Sequence, residues 1–292
     1  MKNIKKSDVI SIFDDDIVTV TKMNHIVEVQ HMDKMNIRAN IKKLDKNRYV
    51  DLRTGEIKEY KHFENRSQSE NSLKQTFKKL RYLINNNFTG AKNELFITLT
   101  YEENMTYTER LYTDFDKFIK RLRYKYRDRS TIDYISVVEP QERGAWHCHV
   151  LFRFNDLKTI YIPNKFEDKK PVDAPLYELW GHGWVTIKSL KNVDNVGAYL
   201  SAYLTDIELN EDTSQEVINK TLNEEHRTIK TIDNKKYIKG GRLHLYPPGM
   251  NIYLCRRGIK KPDRVEMKYK NAKKTVGSAK PHYSKSYDIK LD

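Results

Sequence analysis

Cysteine is scarce in this chain, with only Cys148 and Cys255 among 292 residues. So few cysteines argue against a secreted protein stabilised by disulfides and favour a reducing compartment. The sequence also has no apolar run long enough to span a bilayer and no secretory signal pattern. These three absences predict a soluble, cytoplasmic protein without a membrane partner.

Two further features are missing or in the minority. The chain has no Gly-x-x-x-x-Gly-Lys-Ser/Thr phosphate-binding loop, so we do not expect a built-in ATP-driven helicase. Acidic residues are outnumbered, with 40 Asp+Glu against 54 Lys+Arg and a net charge of +14. A basic excess of this size predicts attraction to a polyanion such as nucleic acid.

Two histidines one residue apart, His147 and His149, stand inside the apolar run 145–154. Side chains alternate along a strand, so both imidazoles project from one face. The other face carries only Trp146, Cys148, Val150, Phe152 and Phe154. One face is therefore apolar, and the other offers two imidazoles to whatever lies above the sheet. Neutral imidazole is the commonest metal ligand, so the pair predicts a metal site.

The third ligand is predicted to be Glu139. A strand-like run over 132–138 ends at this residue, and a hairpin through 141–144 would return the chain beside His147. Two imidazoles and one carboxylate leave positions open for water and phosphate oxygens, which suits Mg²⁺ or Mn²⁺, with Zn²⁺ chemically possible. Glu142, within the turn, is a weaker candidate. His182, between two glycines, is interpreted as a loop histidine.

A second motif lies about fifty residues further on, where Tyr199 and Tyr203 are one helical turn apart. Both fall on the flank of an apolar stripe with helical spacing. The stripe consists of Val193, Val196, Leu200, Leu204 and Ile207. A tyrosine oxygen can attack a DNA phosphate and form a covalent phosphotyrosine with a free 3′-hydroxyl. A metal ion on the same phosphate would assist, and two tyrosines allow two successive transfers.

These segments together resemble the HUH endonuclease superfamily and, within it, the rolling-circle replication initiators with two tyrosines. The resemblance covers about residues 90 to 207 and rests on the early strand motif 96–101, on Glu139-Pro140 with 146–149, and on 196–203. Related proteins often carry a lysine three residues after the first tyrosine, where this chain has Ala202. The stabilisation of negative charge that this lysine would provide is therefore absent here, or another residue provides it.

The resemblance implies a metal-dependent enzyme that nicks and joins single-stranded or hairpin origin DNA through a 5′-phosphotyrosine. It implies Tyr199 and Tyr203 as nucleophiles, and host helicase and polymerase as partners. Relaxases and single-strand transposases share this chemistry and remain alternatives. Outside this chemistry, a catalytically silent DNA-binding regulator and a hydrolytic zinc nuclease remain open. Retention of both the His pair and the Tyr pair argues against the silent regulator.

The order of predicted elements indicates an α+β protein. We expect a central antiparallel sheet flanked by helices, which we place on one face of the sheet. The predicted divisions are a small β-rich N-terminal element (1–65), the HUH-type endonuclease domain (66–207), a C-terminal extension (208–258) and a basic tail (259–292) expected to be disordered.

Two predicted helices carry many basic residues away from their apolar stripes, one starting near Ser67 and one over about 110–127. The basic residues are Lys74, Lys78, Lys79 and Arg81 on the first, and Lys117, Lys120, Arg121, Arg123, Lys125 and Arg127 on the second. Each set is either a solvated helix face or a track for the DNA backbone, and the sequence does not decide between them.

Overall fold

The structure of the chain is a computed structural model. It describes the backbone of residues 4–5, 11–32, 40–60, 70–141, 144–162, 164–167, 170–188, 190, 193, 195–205, 207–209, 229–232, 235–238, 242, 245–247, 250–281, 284 and 288–289. Within these ranges, no side chain is described for 4–5, 70–74, 164–167, 170–174, 202–203, 205, 207–208, 230–232, 235, 237 and 288–289.

The structure contains both strands and helices. The strands are β1 (Ile4–Lys5), β2 (Ile17–Met23), β3 (Ile26–His31), β4 (Ile41–Lys43), β5 (Arg48–Asp51), β6 (Ile57–Glu59), β7 (Glu94–Leu99), β8 (Ile132–Pro140), β9 (Trp146–Phe154), β10 (Asn164–Glu167), β11 (Lys170–Asp173), β12 (Val185–Lys188), β13 (Ile207–Leu209), β14 (Ile229–Ile232), β15 (Lys235–Ile238), β16 (Tyr253–Cys255), β17 (Asp263–Lys268) and β18 (Asp288–Ile289). The helices are α1 (Glu70–Asn87), α2 (Thr108–Tyr126), α3 (Ala174–Trp180), α4 (Val196–Thr205) and α5 (Tyr269–Val276).

The chain divides into two compact units, Met1–Lys61 with Pro262–Asp292, and His62–Lys261. In the first unit, β17, β2 and β3 form an antiparallel sheet against which α5 packs, with Val18, Val20 and Ala272 buried. The expectation of a disordered basic tail is therefore wrong for residues 263–276. Backbone pairing along β2 needs no large aliphatic side chains, so composition alone did not reveal this strand.

The second unit contains a five-stranded sheet in the order β12-β7-β9-β8-β16, with every neighbouring pair antiparallel. This confirms the α+β prediction of a central antiparallel sheet flanked by helices. The strand β16 comes from the segment predicted as a C-terminal extension, yet it pairs with β8 at the edge of this sheet. Residues 253–255, which lie beyond the predicted end of the endonuclease domain at 207, are thus part of the central sheet.

The helices of the second unit lie on both faces of the sheet, and the prediction of a single covered face is wrong. On the apolar face, α2 packs through aromatic contacts, including Phe118 against Phe152 and Tyr126 against Phe154. On the histidine face, Arg153 donates from Nη1 to the Asn87 carbonyl at 2.6 Å. This contact brings the end of α1 onto the same face as His147 and His149. Among the described helices, none is long and apolar enough to cross a membrane.

Candidate functional site

The β8–β9 hairpin brings the three predicted metal ligands together. The antiparallel register places Glu139 directly opposite His147, and His149 lies two residues further along the same face of β9. The turn between the strands includes Gly144 at a φ of 82°, a conformation that favours glycine. One possible ligand atom from each of Glu139, His147 and His149 lies within 4.8 Å of the others. We refer to these residues as the Glu–His–His triad.

The Glu–His–His triad fits a divalent cation in both chemistry and spacing. Ligand atoms bound to one such cation at about 2.1 Å are about 3 to 4 Å from one another, so the three side chains need to move only slightly closer together. A carboxylate with two neutral imidazoles suits Mn²⁺ or Zn²⁺, and suits Mg²⁺ when phosphate adds oxygen ligands. The identity of the metal stays a prediction.

His149 is held in the orientation and protonation state of a ligand. Its Nδ1 lies 3.0 Å from the Thr98 hydroxyl, its ring stacks on Phe96, and its Nε2 contacts a carboxylate oxygen of Glu139. Burial lowers the pKa of His149 to about 3, and the charge of Lys188 acts in the same direction. A neutral imidazole is the form that binds metals. The Thr98 contact is the kind of outer hydrogen bond that orients a ligating histidine.

The histidine face is largely enclosed at the Glu–His–His triad. His149 is only 2% exposed and Glu139 only 4%, whereas His147 is partly exposed. Solvent therefore reaches the Glu–His–His triad mainly at His147. Because Phe96 and His149 are both buried on this face, His149 also contributes to the packing of the core.

The N-terminus of α4 is tied to α1 by two asparagines. Asn195 caps the helix by accepting a hydrogen bond from the Ala198 N–H at 2.8 Å. Asn85 donates to Asn195 at 2.9 Å and accepts from the Gly197 N–H at 2.8 Å. Because Asn85 is almost fully buried in α1, these bonds fix where α4 begins.

The two predicted nucleophiles lie on this helix. In α4, Val196, Leu200 and Leu204 are buried, as the helical spacing predicts, while Tyr199 is 41% exposed. The backbone of Tyr203 belongs to α4, but its side chain lies outside the described residues, and Glu142 lies outside them entirely. The roles of Tyr199 and Tyr203 as nucleophiles stay predictions.

The end of α4 is connected to the strand that carries Glu139. The buried Tyr246 hydroxyl donates to the Val138 carbonyl at 2.9 Å and lies 3.4 Å from the Leu204 carbonyl. Val138 immediately precedes Glu139, so Tyr246 joins the last turn of α4 to the end of β8 beside the Glu–His–His triad. Tyr246 has no signal in the sequence that would have marked it for this role.

His182, interpreted from sequence as a loop histidine, lies apart from the Glu–His–His triad. Its Nε2 is 3.5 Å from Asp114, and its ring contacts Trp180 and Tyr101. The adjacent Gly183 is required by close packing, because an added Cβ would overlap the backbone of residues 100–102. These contacts support a structural role for the 181–183 loop.

We expect Gly197→Ala to displace α4. A Cβ at this position would lie 2.6 Å from the Arg81 carbonyl, which is backbone and cannot rotate away. We predict a loss of about 1 to 3 kcal/mol in the free energy of unfolding, measured by chemical denaturation. Ala198→Ser, at the exposed neighbouring position, is the matched control and should change this value by less than about 0.5 kcal/mol. Equal stability of the two variants would contradict the close approach of α1 and α4.

Residues 94–208 match the sequence model of one family, the replication-associated protein ORF2 family. The matched span begins with β7 and ends within β13, so it contains the Glu–His–His triad and all of α4. The match supports a replication initiator of the Rep type. No curated protein matches the chain, and no solved structure does.

Proposed function

We propose that this protein initiates rolling-circle replication by nicking and rejoining one strand of its origin DNA. The observation that carries the proposal is the joining of the tyrosine helix to the Glu–His–His triad. Asn85 positions the start of α4, and Tyr246 connects its end to the residue before Glu139. The family match over 94–208, which spans both elements, supports the same role.

The proposed first step is a phosphoryl transfer to tyrosine. The Tyr199 oxygen bonds to phosphorus while the bond between phosphorus and the 3′-oxygen breaks. Tyrosine loses one proton and the departing 3′-oxygen gains one, so no co-reactant is consumed. A divalent cation held by the Glu–His–His triad would polarise the phosphate and stabilise its developing negative charge.

The second step rejoins a strand. A free 3′-hydroxyl attacks the phosphotyrosine and releases the tyrosine, so the bond energy kept in the adduct replaces ATP. With two tyrosines, one residue starts the cycle and the other finishes it. The first nick leaves a 3′-hydroxyl that a polymerase can extend, and we therefore propose host polymerase and helicase as partners alongside single-stranded or hairpin origin DNA.

The direct test is incubation with single-stranded DNA from the replicon's own origin and Mn²⁺, followed by denaturing gel electrophoresis. We expect a protein band shifted by covalently attached DNA. Cleavage without an adduct would indicate a hydrolytic nuclease instead, and DNA binding without cleavage would indicate a regulator. The rejoined DNA products would separate an initiator from a relaxase or a transposase, which share the 5′-phosphotyrosine.

The two basic helices should contribute unequally to DNA binding. The end of α1 lies on the histidine face, whereas α2 covers the opposite, apolar face. Lys78 and Lys79 lie on α1, and Lys117 and Lys125 are exposed on α2. We expect a strand bound at the Glu–His–His triad to approach from the side of the sheet that carries α1, so that its phosphates meet the α1 lysines.

We therefore predict that the double change of Lys78 and Lys79 to Gln weakens single-stranded DNA binding. The plot of the logarithm of the DNA association constant against the logarithm of salt concentration should also become less steep. Its slope should fall by about 0.7 for each phosphate that the lysines no longer neutralise. The matched control changes Lys117 and Lys125 to Gln, which removes the same charge from α2. Binding measured by fluorescence anisotropy at several salt concentrations compares the two. Equal losses would assign the affinity to net charge rather than to α1.

A further inference from the structure

An arginine from a distant part of the chain pairs with the carboxylate of the Glu–His–His triad. A guanidinium nitrogen of Arg242 contacts Oε1 of Glu139, while the other carboxylate oxygen, Oε2, contacts His149. The side chain of Arg242 is only 21% exposed, and that of Glu139 only 5%. The two carboxylate oxygens are thus shared between an arginine and a predicted metal ligand.

The segment that carries Arg242 is anchored beside the site. The Leu245 N–H donates to the Arg242 carbonyl at 3.1 Å, which closes a turn leading into Tyr246. Tyr246 is fully buried, packs its ring against Trp146 and donates to the Val138 carbonyl. Arg242 is therefore held next to Glu139 by a turn whose own anchor is on β8.

We propose that Arg242 is a phosphate-binding residue that holds Glu139 until a divalent cation takes over the carboxylate, and then pairs with the scissile phosphate. This inference rests on the proposed function. It identifies a positive group beside the reacting phosphate in a chain that has Ala202 where related proteins often have a lysine.

The exchange follows from the cost of leaving charges unpaired. A cation bound beside His149 draws on the same carboxylate whose Oε1 Arg242 contacts, so the two positive groups compete for the charge of one carboxylate. A guanidinium displaced from its carboxylate in a nearly buried position is costly unless another anion replaces it. A phosphate offers the best geometry, because the planar guanidinium can donate two parallel hydrogen bonds to its oxygens. DNA binding should then strengthen cation binding, and the converse holds by linkage.

The test measures Mn²⁺ affinity by electron paramagnetic resonance, so it does not depend on turnover. The full-length chain is titrated alone, and again with a single-stranded origin oligonucleotide in a background with Tyr199→Phe and Tyr203→Phe. In that background, we expect the oligonucleotide to tighten Mn²⁺ binding about tenfold. Arg242→Ala should bind Mn²⁺ about tenfold more tightly without DNA, and the oligonucleotide should then change the affinity less than about twofold.

Arg256→Ala is the matched control, because Arg256 also comes from the C-terminal part of this unit and pairs with a β8 carboxylate, that of Asp133, far from Glu139. It should leave both Mn²⁺ affinities unchanged. Arg242→Lys keeps the positive charge but loses the two parallel N–H donors of the guanidinium. The lysine should therefore still compete with Mn²⁺ for Glu139, but the oligonucleotide should tighten Mn²⁺ binding less than it does with Arg242. If Arg242→Ala fails to fold, the Arg242→Lys variant tests the proposal in its place.

Two results would overturn the inference. The first is Mn²⁺ affinity in Arg242→Ala equal to that of the unchanged chain, both with and without DNA. The second is weaker Mn²⁺ binding without DNA, which would mean that Arg242 merely supports the position of Glu139. Failure of the proposed function has a different signature, because the chain would then form no covalent adduct while these Mn²⁺ titrations could still be read.

Discussion

We expect His147→Ala to lose Mn²⁺-dependent cleavage of origin DNA by at least about 100-fold at limiting cation. Loss of an outer hydrogen-bond partner of a metal ligand typically costs about 10- to 100-fold in metal affinity or activity, and loss of a ligand should cost no less. His147 is the better choice for truncation because it is partly exposed, whereas His149 is buried against Phe96. The measurement is the cleavage rate across a Mn²⁺ titration, with chemical denaturation to verify folding.

A graded series strengthens this test. Thr98→Val removes the hydroxyl that lies 3.0 Å from Nδ1 of His149 and should reduce Mn²⁺ affinity by about 10- to 100-fold. His182→Ala is the matched control, since that histidine contacts Asp114 and Trp180 rather than the Glu–His–His triad. It should keep the Mn²⁺ dependence unchanged. Cleavage that persists in EDTA, or a His147→Ala enzyme of normal activity, would contradict the metal assignment.

The part of the candidate site that could be predicted from sequence is the part built locally. Strand alternation puts His147 and His149 on one face, and a short hairpin returns Glu139 to the opposite strand. Strand alternation and hairpin return both act over fewer than about fifteen residues. The pairing register of the two strands therefore follows once the turn is recognised. The helical stripe of α4 was predictable for the same reason, because its period depends only on neighbouring turns.

The rest of the site depends on contacts between residues far apart in sequence. Asn85 and Asn195 are 110 positions apart, and Tyr246 lies 108 positions after Val138. No periodic pattern marks such residues, and an asparagine or tyrosine on its own is ordinary in composition. The burial of His149 also depends on residues far from it in sequence, because the residues that cover a strand face cannot be read from the strand itself.

Loss of both tyrosine hydroxyls should abolish the covalent adduct. The double variant Tyr199→Phe with Tyr203→Phe removes the only two nucleophiles that we propose, and loss of a nucleophile commonly costs more than about 10³-fold in rate. Origin DNA binding should survive, because each change removes a single hydroxyl and leaves the aromatic ring in place. The readouts are adduct formation on a denaturing gel and DNA affinity by fluorescence anisotropy.

The single variants separate the two transfers. Phe at either position should leave nicking partly intact but block the second transfer, so that joined circular product is not released. We expect Tyr199 to act first, because it is the first tyrosine of the motif, and its side chain is exposed enough to reach a bound strand. Tyr124→Phe, a change at an exposed tyrosine of α2, is the matched control and should leave both transfers unchanged.

The attached residue can be identified directly by mass spectrometry of the trapped and nuclease-digested adduct. We expect a nucleotide mass on the peptide that contains Tyr199 in the unchanged chain, and on Tyr203 in the Tyr199→Phe variant. The chemistry requires a tyrosine oxygen bonded to phosphorus, so the adduct should resist EDTA once formed. An adduct on neither tyrosine, or complete strand transfer by the double Phe variant, would rule out the proposed mechanism.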